Sequence, residues 1–195
     1  ELLETDSISS SDTKNFASII NKESSRLMNL VQDTLLLTKQ NHRIDKKKIN
    51  LTALIQNILQ SSGPQINEKS LHLESQIEEI TFKTNEPMVH SIFENLIENA
   101  IKYSNDDGEI KIDAYSKGEK IYVDIFNSGK CIEEKELNKI WDRFYKSDKS
   151  RTNKLSTGLG LPIVRSILSQ HNEDIWVKNI EGKGVSFIFT LKKSH

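Results

Sequence analysis

The sequence predicts an α+β protein, a two-layer sandwich of helices on one face of a largely antiparallel sheet, with a helical segment ahead of it. Three observations predict this class. Apolar residues recur at helical spacing before residue 41 and again between 51 and 101. Strict alternation then takes over in the pairs Ile110/Ile112/Ala114 and Ile121/Val123/Ile125. A last helix-like run after Gly160 is followed by two more alternating stretches.

In chain order, Phe16, Ile20, Glu23, Leu27, Leu30, Thr34 and Leu37 alternate spacings of four and three, with Met28, Val31 and Leu35 beside them. This heptad-like stripe suits a bundle of helices, and the alternative is an amphipathic helix docked on its own domain. Asn41 to Lys48 breaks the pattern with charge and reads as a solvated linker over residues 42–50. Leu51, Leu54, Ile55, Ile58 and Leu59 mark a helix ending at Gly63-Pro64. Leu71 to Thr84 reads as two short strands with a turn around Glu78-Glu79. Pro87 opens a long helix whose apolar side carries Val89, Ile92, Phe93, Leu96, Ile97, Ala100 and Ile101. Lys117-Gly118 joins two antiparallel strands, and Gly182-Lys183-Gly184 joins Ile175/Val177 to Val185/Phe187/Phe189/Leu191.

Bulk composition narrows function. A net charge of −1 gives no reason to expect nucleic acid or a membrane surface as partner. The lone Cys131 excludes an internal disulfide framework and fits a reducing cytosol. No apolar run approaches the length of a membrane span. The chain begins at Glu1, mid-pattern, which predicts a piece of a longer, membrane-anchored protein.

Chemistry concentrates in four places. Asn95, Asn99 and Lys102 fall at i, i+4 and i+7 of the long helix, so two carboxamides and an ammonium share one face. Amide oxygens there can ligate a hard cation while the lysine neutralises phosphate; a merely solvated face would have the same spacing. Downstream, a strand runs into the Asn127-Ser128-Gly129 turn, where a side chain can bond a base edge and glycine lets the ring lie close. Trp141 to Lys146 sets aromatics beside cations, and the stretch on to Thr157 lacks apolar periodicity, as expected of a lid over Tyr145–Thr157. Finally, Thr157-Gly158-Leu159-Gly160-Leu161 leads into a helix whose free N–H groups favour an anion.

Ordered together, these pieces resemble the N, G1, F and G2 boxes of the sensor histidine kinases of two-component systems. Asn95–Ser104 is close to the N box and Thr157–Val164 to the G2 box, and the resemblance runs from about Phe16 to Leu191. It implies the Bergerat ATP-binding fold of gyrase-type and mismatch-repair ATPases over residues 51–195, with residues 1–41 the end of a dimerisation hairpin. It further implies ATP and Mg²⁺ as cofactors, with Asn99 ligating the metal and Asn95, Lys102 and Tyr103 near the triphosphate. Asn127, Gly129 and Ile132 would face the base, Phe144 would lie beside the site, and Lys146 would reach phosphate. Thr157 and the N–H groups of Gly158 to Leu161 would complete the cradle. Asn95, Lys102 and Lys146 are the expected catalytic set. Homodimerisation through the hairpin, a response regulator partner and a cytoplasmic position below a bacterial cell membrane are implied as well.

Departures from the family pattern matter too. Hydrolytic relatives carry a glutamate base where this chain has Asn95, and an amide cannot take a proton from water, which disfavours a hydrolytic ATPase. The G1 box has Asn127 for aspartate and Cys131 for glycine, and Asn172-Glu173 replaces a Gly-Gly. An amide oxygen still accepts from an adenine amino group, with a loss of roughly 1 kcal/mol from absent charge assistance. The altered G1 box keeps one alternative open, a non-catalytic interaction domain gated by nucleotide. His42, His72, His90, His171 and His195 all lack the acidic neighbour of a phosphoacceptor. Glu1-Leu2-Leu3-Glu4 resembles the tail of the acceptor helix, so the acceptor is expected just upstream of Glu1.

Overall fold

The computed structural model describes Phe16 and residues 46–146 and 157–193. The expected helix over Phe16–Leu37 and most of the expected lid therefore lie outside the described residues, Phe16 itself being helical. Among the described residues, seven strands and four helices follow Phe16 in the order β1 (Lys47–Asn50), α1 (Leu51–Ser61), α2 (Gly63–Glu68), β2 (His72–Ile77), β3 (Thr81–Thr84), α3 (Glu86–Tyr103), β4 (Glu109–Lys117), β5 (Lys120–Ser128), α4 (Gly160–Gln170), β6 (Ile175–Ile180) and β7 (Gly184–Lys192). Two 3₁₀ turns, Glu134–Glu136 and Lys139–Trp141, lie between β5 and α4.

The main sheet has the order β2-β4-β5-β7-β6, and a separate ribbon pairs β1 with β3. All pairings are antiparallel except β2 with β4. Alternation sends one side of each central strand inward: Ile110, Ile112 and Ala114 from β4, Ile121, Val123 and Ile125 from β5, and Val185, Phe187, Phe189 and Leu191 from β7. The apolar stripe of α3 meets this face, with Phe93 edge-on to Phe189 at a centroid distance of 5.4 Å. Every α3 residue expected on the apolar side is buried. The α+β two-layer sandwich is thus the observed architecture.

The starts of α1 and α3 are fixed by side chains. Asn50 Oδ1 accepts from Ala53 N–H at 3.0 Å at the head of α1, and Asn85 Oδ1 from Met88 N–H at 3.2 Å at the head of α3. Pro87 sits in the first turn of α3, where its missing N–H costs nothing.

One expectation needs correction. The linker expected over 42–50 is a strand at its C-terminal end, because Ile49 is buried and pairs with Phe82. Three consecutive lysines hide that strand in the sequence. The helix expected to stop at Gly63-Pro64 does so, with Ser61 its last residue and Ser62 its C-cap, and Pro64 then lies in the first turn of the short α2, which buries Ile66.

Candidate functional site

Asn95, Asn99 and Lys102 are all half-buried and lie along one side of α3. Asn95 is held in place: its Nδ2 donates to the Ser91 carbonyl at 2.8 Å and to Ser91 Oγ at 3.3 Å. That orientation directs Oδ1 at the start of α4, where a Cβ on Gly160 would lie 2.6 Å from it. Only glycine lets the two helices approach so closely. At the far end of α3, Lys102 Nζ donates to Tyr103 Oη at 3.0 Å and sits 4.5 Å from the tyrosine ring centroid. The cation therefore rests on an exposed aromatic face.

Asn127 continues the inward alternation of β5 beyond Ile125, so a polar residue occupies a core-facing position and is only 4% exposed. Its Nδ2 donates to the Ser128 carbonyl at 3.3 Å, which leaves Oδ1 as the side chain's acceptor. Gly129 pairs with Ser104, and its backbone lies so near the Tyr103 carbonyl that a side chain could not be added. The end of α3 and the Asn127–Gly129 turn thus form one continuous wall. Ile132 is clamped through its backbone by Asn179 of β6: its N–H donates to Asn179 Oδ1 at 3.0 Å and its carbonyl accepts from Nδ2 at 2.8 Å.

The third wall is the start of α4. Phe144 N–H donates to the Gly158 carbonyl at 2.9 Å, joining the aromatic segment to the glycine segment. Phe144 itself is 67% exposed. Thr157 Oγ1 accepts from Leu159 N–H at 3.2 Å, and Leu159 is buried, so this residue serves packing. Unlike α1 and α3, α4 has no side-chain cap, and its first turn carries no acidic residue. Its first N–H groups are those an anion would meet. Lys146 is half-buried immediately before residues 147–156, which lie outside the described residues. Paired carboxamides, a cation and an uncapped helix start form a donor set that fits a triphosphate with a hard metal ion.

A sequence model of the family described as histidine kinase-, DNA gyrase B-, and HSP90-like ATPases matches residues 84–195. The chain belongs to this family. The sensor histidine kinase WalK of Bacillus subtilis is 32% identical over 185 residues, which cover 90% of this chain and 30% of that protein. The chain thus spans about a third of the length of the curated relatives it matches. The catalytic domain of the histidine kinase ThkA has a TM-score of 0.69 at 28% identity, covering 77% of this chain and 97% of that one. ThkA in complex with the response regulator protein TrrA has a TM-score of 0.74 at 28% identity, covering 96% of this chain and 53% of that one.

The family's ATPase domain is therefore present, and the departures from its pattern sit in well-packed surroundings. Cys131 Sγ lies 3.6 Å from the Ile180 carbonyl and 3.5 Å from that of Gly184, filling space between the turn and the β6–β7 hairpin. Asn172 takes a left-handed φ of 55°, which asparagine tolerates. Glu173, beside it, is buried and accepts from Thr190 Oγ1 while pairing with Lys120 at 3.1 Å. His171 contacts Met88, and burial holds its imidazole below the ordinary pKa. Sequence reasoning missed Asn179, whose only signal is an asparagine inside a strand, a residue type that strands disfavour.

Proposed function

We propose that this chain binds Mg-ATP between α3, the Asn127–Ile132 turn and the start of α4, and presents it to a histidine upstream of Glu1. The observation that carries this reading is the convergence of Asn95 on Gly160, which sets the carboxamide stripe of α3 against an uncapped helix start. Bound Mg-ATP would supply a γ-phosphoryl group whose charge the metal neutralises. Asn99 would ligate that metal, Lys102 and Lys146 would offset phosphate charge, and Asn127 would accept from the adenine amino group. Asn95 holds a carboxamide where a hydrolytic enzyme needs a base, so the site retains ATP rather than activating water. Transfer then depends on positioning. In the whole protein the histidine would pass its phosphoryl group to an aspartate of a response regulator. Dimerisation through a helical hairpin and a cytoplasmic position below a bacterial membrane belong to the same reading; no helix among the described residues is long and apolar enough to cross one.

Incubation with radiolabelled ATP and Mg²⁺ tests this. The chain alone should stay unlabelled and release little phosphate, while the same chain extended upstream through the hairpin should acquire acid-labile, base-stable label. Label on a histidine of the present chain, or rapid phosphate release, would overturn the reading.

A further inference from the structure

Lys69 lies between α2 and β2, ahead of the segment matched by the family sequence model, which begins at residue 84. Its side chain nevertheless reaches the end of α3. Nζ donates to the carbonyls of Ile101 at 3.0 Å, Lys102 at 2.9 Å and Ser104 at 2.9 Å. An ammonium carries three protons, so this arrangement uses every one of them on a single helix end. The placement also opposes the partial negative charge of that end.

Ordinary helix termination does not require this lysine. Ser104 already closes α3, its N–H and Oγ both donating to the Ala100 carbonyl at 3.0 and 2.7 Å. What Lys69 adds is control of the next carbonyls, those of Ile101 and Lys102, together with that of Ser104 on the far side of Tyr103. Its own backbone extends the grip, since the Lys69 carbonyl accepts from Asp107 N–H at 2.8 Å. The turn that delivers it is tight: Ser70 has a left-handed φ of 52°, and Leu71 N–H returns to the Ile66 carbonyl at 3.0 Å. The held carbonyls bracket the two residues that the nucleotide reading assigns to phosphate, Lys102 and Tyr103.

We propose that Lys69 is a positioning residue for the nucleotide site: by gripping the last-turn carbonyls of α3, it fixes the direction in which Lys102 and Tyr103 leave the helix. The proposal rests on the nucleotide reading above. Without the ammonium, the carbonyls of Ile101 and Lys102 lose a charged partner and the last turn frays. Asn95 and Asn99 stand further inside the helix and keep their places. The loss therefore falls most on phosphate recognition through Lys102, and less on the base, which meets this helix end only through the contact of Gly129 with Tyr103 and Ser104.

The test is a double-mutant cycle read by calorimetric titration of Mg-ATP and of adenosine into the intact chain. Lys69→Met should weaken Mg-ATP about five- to tenfold, the size of one charged hydrogen bond or less, with adenosine binding weakened less. Lys102→Ala should weaken Mg-ATP in the parent chain and add little in the Lys69→Met background, because both remove the same oriented cation. Should Lys69→Met fail to fold, Lys69→Gln retains an amide donor at the site, and the same cycle applies. A folded Lys69 variant that binds Mg-ATP like the parent would overturn the proposal. Equal losses for Mg-ATP and adenosine, or full additivity with Lys102→Ala, would also overturn it. A parent chain that binds no Mg-ATP would instead sink the nucleotide reading, and this proposal with it.

Discussion

Replacing Gly160 by alanine probes the contact on which the site is built. The new Cβ would lie 2.6 Å from Asn95 Oδ1, 3.4 Å from its Cγ and 3.7 Å from its Cβ. Only the outer part of the asparagine is therefore in the way. Asn95 cannot simply rotate, because its Nδ2 is bonded to the Ser91 carbonyl at 2.8 Å. Giving up that bond costs about 1 kcal/mol, and an off-rotamer side chain adds roughly 0.5–1.5 kcal/mol. Alanine in place of glycine in a helix returns about 0.5–1 kcal/mol. The net loss of stability is about 1 kcal/mol, a small change in a urea melt. Binding should suffer more, since a displaced Asn95 disturbs the uncapped start of α4, and losing one backbone hydrogen bond to a charged ligand there is worth about 1.5–3 kcal/mol, or roughly ten- to a hundredfold in affinity. Asn95→Ala in the same chain removes the obstructing atoms and leaves Cβ atoms at the ordinary contact distance of 3.7 Å, so Gly160→Ala should then cost no stability. Gly63→Ala is the control: nothing lies within 4 Å of its added Cβ, and a gain of about 0.4–1 kcal/mol is expected. Urea melts and Mg-ATP titrations on these proteins decide the matter. If Gly160→Ala binds like the parent, or costs as much stability with Asn95→Ala as without it, the proposed juxtaposition of the two helices is wrong.

Other perturbations follow the same logic. Asn99→Ala should abolish the Mg²⁺ dependence of nucleotide binding while leaving the melt nearly unchanged, because Asn99 is half-buried on the polar side of α3; Mg²⁺-dependent binding that survives in a folded variant would remove its role as ligand. Asn127→Asp should tighten adenine nucleotides by up to about 1 kcal/mol through a charge-assisted bond, and Asn127→Ala should weaken them; three equal affinities in competition binding would show that residue 127 does not meet the base. Asp124 has one buried oxygen without a partner, faces Asp113 across the strands, and burial holds its carboxyl above the ordinary 3.8. The folded state then binds the proton more tightly, so this group's contribution falls as pH rises above 3.8. Asp124→Asn should accordingly be more stable than the parent at pH 7, with the gain shrinking through the acid range and vanishing as the pH falls to 3.8; a pH-independent difference in urea melts would contradict this.

Much of the fold was legible because the chain alternates cleanly where it is buried. Every inward residue of β5 up to Ile125, and the full apolar stripe of α3, can be read from period alone. Pairing partners were not legible. The stretch from Leu71 to Thr84 does hold two strands, yet β2 runs parallel to β4 and β3 joins β1 in another ribbon. Neither partner is encoded within so short a segment, and β1 was masked by its lysines. At the site, side chains carried on regular elements, such as Asn95, Asn99 and Asn127, could be placed by spacing. Groups that act through backbone contacts from distant segments could not. Lys69 grips carbonyls more than thirty residues away, and Asn179 clamps Ile132 from a strand near the other end of the chain.

The most direct test of the central claim is a calorimetric titration of ATP into this chain, with Mg²⁺ present and with Mg²⁺ chelated. The account predicts saturable binding at one site per chain, markedly weaker without the metal, and no turnover to free phosphate during the experiment. Absence of binding at millimolar Mg-ATP, or binding indifferent to Mg²⁺, would contradict it.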